Sequence, residues 1–330
     1  MTHVKPKFAM YWAASCGGCE IAVLNTHEKI LDVDANFDVV FWPVAMDAKY
    51  KDVEAMEDGS ILLTLFNGGI RNDENEHIAK LLRQKSKILV AFGSCACEGC
   101  IPGLANLSPV GEIVHTAFNT ISTDNPHEIY PRTSYDVPEG ELHIPKLEKT
   151  LRPLDHVVDV DYYMPGCPPE SHQIAAVLDL VIDVLHGRAS LPPKGSTIGV
   201  GNSTVCDECP RARNVKLIKE FKRIQDIAPA DPDLCLLEQG IPCNGPATCS
   251  GCNARCPQAG AQCIGCYGPA QGVTDYGARL ITAFSSVIDA TTPEEIERIL
   301  DGIPDPTGQV YRFSLPASLL MANREAFKAK

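Results

Sequence analysis

The 330-residue chain has no long apolar run, no excess of positive charge and no nucleotide-binding loop. Its greasiest helix candidate, Ile174 to Leu185, carries Asp179 and Asp183, well short of the roughly 18 uninterrupted apolar residues a membrane span requires. With 29 Lys plus Arg against 42 acidic residues, the net charge of −13 excludes a broad nucleic-acid or membrane-surface binder. Neither a Walker loop nor a GxGxxG follows the first apolar run, so nucleotide and flavin sites have no support. The opening residues, MTHVKPKFAM, hold no apolar signal core and no twin-arginine pair. The expectation is a cytoplasmic chain. Solenoid repeats and low-complexity segments are also missing.

Cysteine, by contrast, is abundant. Fifteen thiols exceed what packing needs, and a chain of this length with 45% hydrophobic residues has no need of disulfide staples. In a reducing compartment, and with an odd count, a disulfide framework is not the expected use. Metal ligation is.

From Lys7 to about Gly187, short β-type runs alternate with helical patterns, the mark of a doubly wound α/β unit. Strands are expected at Phe8 to Trp12, Phe37 to Trp42, Ile61 to Phe66, Lys87 to Phe92 and Val157 to Tyr163. Helices are expected at Glu20 to Ile30, Glu74 to Gln84 and Glu170 to Leu185. Strands separated by helices should lie parallel. Seven prolines between Pro102 and Pro153 break any regular element and imply a long ordered excursion rather than another βα repeat. The expected division is residues 1–187 and 188–330, with a linker at Arg188 to Gly195. In the second part, Cys206 to Gly268 is rich in Gly, Pro and Cys, and its folding should depend on metal. A last helix is expected at Thr292, where Thr-Pro-Glu-Glu supplies an N-cap, a first-turn proline and a capping box closed by Glu295.

Cys16, Cys19, Cys95 and Cys167 all fall just past expected strand C-termini. In a parallel sheet those ends share one edge, so thiolates distant in sequence can converge there. Glycines flank each of them, in Cys16-Gly17-Gly18-Cys19, Gly93-Ser94-Cys95 and Gly166-Cys167-Pro168-Pro169, permitting close backbone approach and N–H groups aimed at sulfur. That suits a bulky anionic cluster. Inert core cysteines would not need glycine-flanked loops. Zinc is the serious competitor, although its ligands usually come in compact paired knuckles.

The second part holds Cys206, Cys209, Cys235, Cys243, Cys249, Cys252, Cys256, Cys263 and Cys266, enough for two further four-thiolate sites. Cys209 and Cys256 each precede proline, as in bacterial ferredoxin runs. Three such sites use twelve thiols and leave Cys97, Cys100 and Cys249 spare. Glu20, directly after Cys19, could carry protons or meet a partner, or simply complement a helix dipole. The basic run Arg211, Arg213, Lys216, Lys219, Lys222 and Arg223 could dock an acidic redox partner, but a solvated helix face would read the same. His27, His77, His172 and His186 lack ligand spacing.

Together Cys16-Gly17-Gly18-Cys19-Glu20, Gly93-Ser94-Cys95, Gly166-Cys167-Pro168-Pro169, Cys206-Asp207-Glu208-Cys209, Cys235-Leu236-Leu237-Glu238-Gln239-Gly240 and Cys263-Ile264-Gly265-Cys266 resemble nickel-iron hydrogenase small subunits, over nearly the whole chain. The all-Cys second part looks most like the cytoplasmic methyl-viologen-reducing type that does not reduce the deazaflavin coenzyme. The resemblance implies a flavodoxin-like domain holding a proximal 4Fe-4S cluster through Cys16, Cys19, Cys95 and Cys167. It implies a medial 4Fe-4S cluster on Cys252, Cys256, Cys263 and Cys266, with Cys249 a close rival to Cys252. A distal 4Fe-4S cluster would lie on Cys206, Cys209, Cys235 and Cys243, with Cys206 where exported relatives use histidine. It also implies a large subunit bearing the nickel-iron centre and a further electron-accepting subunit, such as an iron-sulfur adaptor joined to a heterodisulfide-reductase-like complex. No nucleic acid and no membrane span are implied. The sequence departs from many relatives at Asn67, where they have glutamate, and in carrying Cys97 and Cys100 after Cys95. This leaves open which thiol between Cys95 and Cys100 is the ligand, and which residues form a proton path. Two other readings remain: a non-hydrogenase electron-transfer chain similar to a respiratory complex I subunit, and a zinc-stapled interaction protein. The second cluster region and Cys16-x2-Cys19 in place of adjacent cysteines argue against the former.

Overall fold

The computed structural model describes residues 4–227 and 229–321. Runs such as KFAMYW and ILLTLFN are apolar almost throughout, as strands buried on both faces must be. The first half contains β1 (Lys7–Trp12), α1 (Gly18–Leu24), α2 (Ile30–Asn36), β2 (Asp38–Phe41), α3 (Tyr50–Glu54), β3 (Ile61–Asn67), β4 (Ile70–Asn72), α4 (Asp73–Lys85), β5 (Ser86–Phe92) and α5 (Ser94–Glu98). After it come α6 (Val110–Phe118), β6 (Ser134–Val137), β7 (Gly140–His143), β8 (Leu147–Arg152), β9 (Tyr162–Met164) and α7 (Ser171–Leu185). The main sheet is five-stranded and parallel in the order β2-β1-β3-β5-β9, which meets the expected α/β class. On one face Ala22, Val23, Val33, Ile174, Leu178 and Ile182 of α1, α2 and α7 cover Met10, Leu65 and Phe92. On the other, Val53, Ile78, Ala79 and Leu82 of α3 and α4 cover Ala9, Phe66 and Leu89. Apolar burial on both faces is the main source of stability for such a sheet.

Three expected elements are corrected. The single helix read over Glu20 to Ile30 is two helices separated by a 3-10 turn at His27–Lys29. Thr26 Oγ1 turns back to donate to the Val23 carbonyl at 2.7 Å, a local bond that competes with helix continuation. The strand read over Val157 to Tyr163 is only β9, preceded by a 3-10 turn at Leu154–His156. Its ladder starts beside Asp161, whose N–H bonds the Leu89 carbonyl at 2.9 Å while its carboxylate accepts the Leu89 N–H at 2.8 Å. The second strand is shorter than Phe37 to Trp42, ending at Phe41.

The proline-rich excursion carries α6 and the exposed β6-β7 hairpin, and it returns through β8, which pairs antiparallel with β4. Asn106 fixes its base, since its side chain donates to the Leu151 carbonyl at 2.8 Å and accepts the Leu151 N–H at 2.7 Å.

Beyond residue 200 the chain is mostly irregular, with α8 (Val205–Glu208), α9 (Arg255–Gln258), α10 (Tyr276–Ser285), α11 (Pro293–Leu300) and α12 (Pro306–Tyr311). The Thr292 capping box forms as expected, but α11 is not the last helix, because α12 follows it. A second core gathers Val205, Phe221, Leu236, Ile241, Tyr276, Leu280, Phe284 and Ile299. This region sits against the sheet edge through Gln173, whose amide donates to the Gly251 carbonyl at 2.8 Å, and through Ser94 Oγ, which donates to the Cys266 carbonyl at 2.6 Å. Among the described residues no helix is long and apolar enough to cross a membrane.

Candidate metal centres

The C-terminal ends of β1, β5 and β9 are stitched into one edge. The Gly93 N–H bonds the Met164 carbonyl, and the Ser94 N–H bonds the Gly166 carbonyl, both at 2.8 Å. Gly166 in turn donates to Ser94 Oγ at 3.0 Å. Gly93 has φ +82°, and a Cβ there would lie 2.3 Å from the Cys19 sulfur; only glycine lets the sulfur rest against that backbone. The Cys19 thiol is pushed far above the usual range by burial, and then by the nearness of Cys95, Glu20, Cys167 and Cys16. All four thiols expected at this edge are therefore brought together.

The structure adds a fifth. Cys100 is buried and packs with Cys95 and Cys167. Its nearness draws the Cys167 thiol below the usual range, against the effect of burial. Its φ of +49°, rare for a side chain other than glycine, turns the thiol inward, which the spacing after Cys95 did not reveal. Cys97 points away and donates to the Ala91 carbonyl at 3.3 Å. Glu20 is 1% exposed. Its Oε2 accepts from Asn67 Nδ2 at 2.7 Å, and burial raises its carboxyl to about 7.

Cys206, Cys209, Cys235 and Cys243 line one small hollow together with Val205, Arg211, Arg213, Leu236, Gly245 and Pro257. A Cβ on Gly245 would stand 3.0 Å from the Cys206 sulfur and 3.8 Å from that of Cys243. Arg211 is buried beside this hollow and donates to the carbonyls of Asp231, Leu234 and Pro257. Burial pushes Cys206 up to about 12 and Cys243 to about 11, so metal binding here must displace protons.

Cys252 and Cys256 lie near Cys266, which burial and then the nearness of Cys252, Cys256 and Cys167 push up to about 12. Cys249 and Cys252 have different neighbours. The Cys249 thiol donates to the Gly201 carbonyl at 3.3 Å, with the Ser250 N–H beside it. The Cys252 thiol lies near the backbone N–H groups of Ala254 and Arg255, where Asn253 and Ala254 have left-handed φ values of 55° and 49°. Such a nest favours an anion. The three groups also form a row: Cys266 lies near Cys167, and the Cys263 N–H reaches the Cys243 sulfur at 3.4 Å.

These features fit iron-sulfur clusters, with several thiols gathered at each place, glycine-cleared sulfurs and an amide turned toward sulfur at Cys243. Among the described residues, no three His, Cys, Asp or Glu side chains converge tightly on one ion position.

Comparison with known proteins agrees. The family described as NADH ubiquinone oxidoreductase, 20 Kd subunit, matches residues 16–181. The iron-sulfur subunit of the F420-non-reducing hydrogenase of Archaeoglobus profundus is 41% identical over 329 residues, covering 98% of this chain and 99% of that protein. The chain belongs to the family of F420-non-reducing hydrogenase iron-sulfur subunits. The corresponding F420-non-reducing hydrogenase subunit of Methanothermobacter marburgensis is 38% identical over 324 residues, covering 96% of each chain. As a member of this family the chain is a hydrogenase small subunit of the iron-sulfur type, an oxidoreductase component. The match to the 20 Kd subunit family stops at residue 181, whereas the hydrogenase relatives cover the Cys-rich second part as well. Among solved structures, the NiFeSe hydrogenase from Desulfovibrio vulgaris Hildenborough shares the fold, with TM-score 0.52 and 17% identity over 88% of this chain and 99% of that one.

Proposed function

We propose that the chain is the electron-transfer subunit of a nickel-iron hydrogenase, linking the metal site of a large subunit to a downstream acceptor through three 4Fe-4S clusters. In this reading residues 1–187 carry the proximal cluster on Cys16, Cys19, Cys95 and Cys167. Residues 188–330 carry the medial cluster on Cys252, Cys256, Cys263 and Cys266, and the distal cluster on Cys206, Cys209, Cys235 and Cys243. The observation that carries it is the row of thiols: Cys266 bridges toward Cys167 at one end, while Cys263 meets Cys243 at the other. Bound clusters supply one-electron carriers whose potentials follow ligand set, N–H donors to sulfur and burial.

The chain's own residues prepare those sites. Two amides, of Ala254 and Arg255, lie near the Cys252 thiol against one, of Ser250, at Cys249, whose proton also goes to a carbonyl, and this favours Cys252 as ligand. Glu20, buried beside Cys19 with its Oε1 unpartnered among the described residues, can hold or release a proton near neutrality. Exposed Trp12, Ile21 and Leu24 beside Cys16 suit an apolar large-subunit interface. The acceptor is a further iron-sulfur subunit, and the complex works in the cytoplasm.

Anaerobic purification of the complex, with iron, sulfide and zinc assayed alongside the visible spectrum, tests this reading. Charge-transfer absorption with iron and sulfide on this subunit is the expected result; zinc in their place would end the reading.

A further inference from the structure

The basic run is not a helix face. Residues 211–223 form no helix, and Arg211 is turned inward, 7% exposed, to serve three backbone carbonyls. The segment is anchored twice: the Ala212 N–H bonds the Asp233 carbonyl at 2.7 Å, and the Ile218 N–H bonds the Val287 carbonyl at 2.8 Å. Between the anchors, residues 213–217 project as a tip. Glu238, 6% exposed, holds that tip from beneath, its two carboxylate oxygens accepting the Asn214 and Val215 N–H groups, each at 2.8 Å.

The conformation so held is unusual. Val215 has φ +55°, a left-handed backbone that a β-branched residue adopts only when its surroundings impose it. Nothing in the chain's core gains from it, because Val215 is 89% exposed and Leu217 is 48% exposed. Among the described residues neither Arg213 nor Lys216 makes an ion pair, and Lys219 has only a 3.8 Å contact to Asp289. Lys222 pairs with Glu220 at 2.6 Å, so the tip presents two apolar side chains flanked by two cations without ion pairs, Arg213 and Lys216, on a chain of net charge −13. Arg213 also lines the hollow of Cys206, Cys209, Cys235 and Cys243.

We propose that the tip from Arg213 to Leu217 is a preformed docking site for the electron-accepting protein, a partner with an acidic surface around an apolar notch that receives Val215 and Leu217. This rests on the electron-transfer reading above. Two free cations on an otherwise acidic protein steer an acidic partner to one place. A tip already held in shape by Glu238 lowers the ordering cost of binding. Docking breaks and forms no covalent bond and moves no proton. One electron leaves this subunit and enters the partner, oxidising one and reducing the other.

The test uses the assembled hydrogenase complex with hydrogen as reductant, an acidic bacterial-type ferredoxin as probe acceptor and methyl viologen as an acceptor needing no protein docking. In the unaltered complex, ferredoxin reduction should saturate and should slow as salt screens the charges. Lys216→Glu should raise the ferredoxin KM by about tenfold at low salt and flatten its salt dependence. Val215→Gly, which fits the positive φ and deletes the knob, should raise that KM by about threefold or more with kcat unchanged. Iron content, isotope exchange and methyl viologen reduction should stay as they were in both variants. Unchanged ferredoxin kinetics in both variants, or no ferredoxin reduction by a complex with full iron and normal exchange, would overturn the docking site. Absence of iron from the unaltered subunit would instead overturn the electron-transfer reading beneath it.

Discussion

The backbone N–H of Cys263 points at the sulfur of Cys243 across 3.4 Å, so a main-chain amide of one residue expected at the medial cluster reaches a sulfur expected at the distal one. The Cys206, Cys209, Cys235 and Cys243 group has no comparable link to Cys16 or Cys19 among the described residues, which makes it the outer end of the row. Cys209→Ala removes one thiolate there, and loss of a ligand should empty or detune the site. Hydrogen cleavage measured by isotope exchange should persist in the assembled complex, while reduction of a protein acceptor falls by about two orders of magnitude or more. Equal loss of both with the complex assembled would move the site toward the chemistry.

Iron counting separates ligands from spare thiols. Three four-iron clusters predict about 12 iron and about 12 sulfide per chain. Cys249→Ser and Cys97→Ser should leave that content unchanged, because both thiols donate to carbonyls. Cys252→Ser and Cys95→Ser should each remove about a third of it. Iron lost from the Cys249 variant but kept in the Cys252 variant would exchange their roles.

Gly93→Ala tests the cleared space at the first site. A Cβ at that position would fall 2.3 Å from the Cys19 sulfur at a φ of +82°, so backbone or sulfur must move. The variant should assemble with about a third less iron and a lower thermal midpoint.

Ile21 is 56% exposed on α1, two residues after Cys19. An obligate interface of roughly 2,000 Å² or more should bury it. Ile21→Asp should therefore prevent copurification with the large subunit while the isolated chain keeps its secondary structure by circular dichroism.

Asp161 gives a pH-dependent prediction away from the thiols. Burial pushes its carboxyl up, but bonds from Arg83, the Leu89 N–H and Lys194 outweigh this and hold it below its ordinary value, with Arg83 at 2.5 Å and Lys194 at 3.0 Å. A lowered carboxyl contributes stability above the unfolded value and loses it as pH falls through the folded one. Asp161→Asn should destabilise the fold by about 2–4 kcal/mol at neutral pH. The gap between variant and parent in thermal unfolding should shrink between about pH 5 and pH 3.

Much of this was legible in one dimension. Strand runs buried on both faces, Thr292-Pro293-Glu294-Glu295 as a capping box, and glycines beside Cys16, Cys19, Cys95 and Cys167 are local signals, set by backbone sterics and by the polarity of near neighbours. Parallel pairing then obliges strand C-termini to share an edge, so the convergence of those four thiols followed from their positions. The 3-10 turn at His27 was not legible, because a single hydroxyl bond from Thr26 decided it.

Tertiary structure alone decided which thiols give a proton away and which receive one. Cys249 and Cys252 are three residues apart and alike by spacing, yet Cys249 donates to the Gly201 carbonyl, 48 residues off, with one amide beside it, and Cys252 has two amides beside it. Cys100 joined Cys95 and Cys167 through a backbone twist that no spacing announces. The order of the three thiol groups came from contacts such as Cys263 with Cys243. Spacing along a chain constrains what can be near, but the direction of a hydrogen bond depends on what long-range packing brings opposite it.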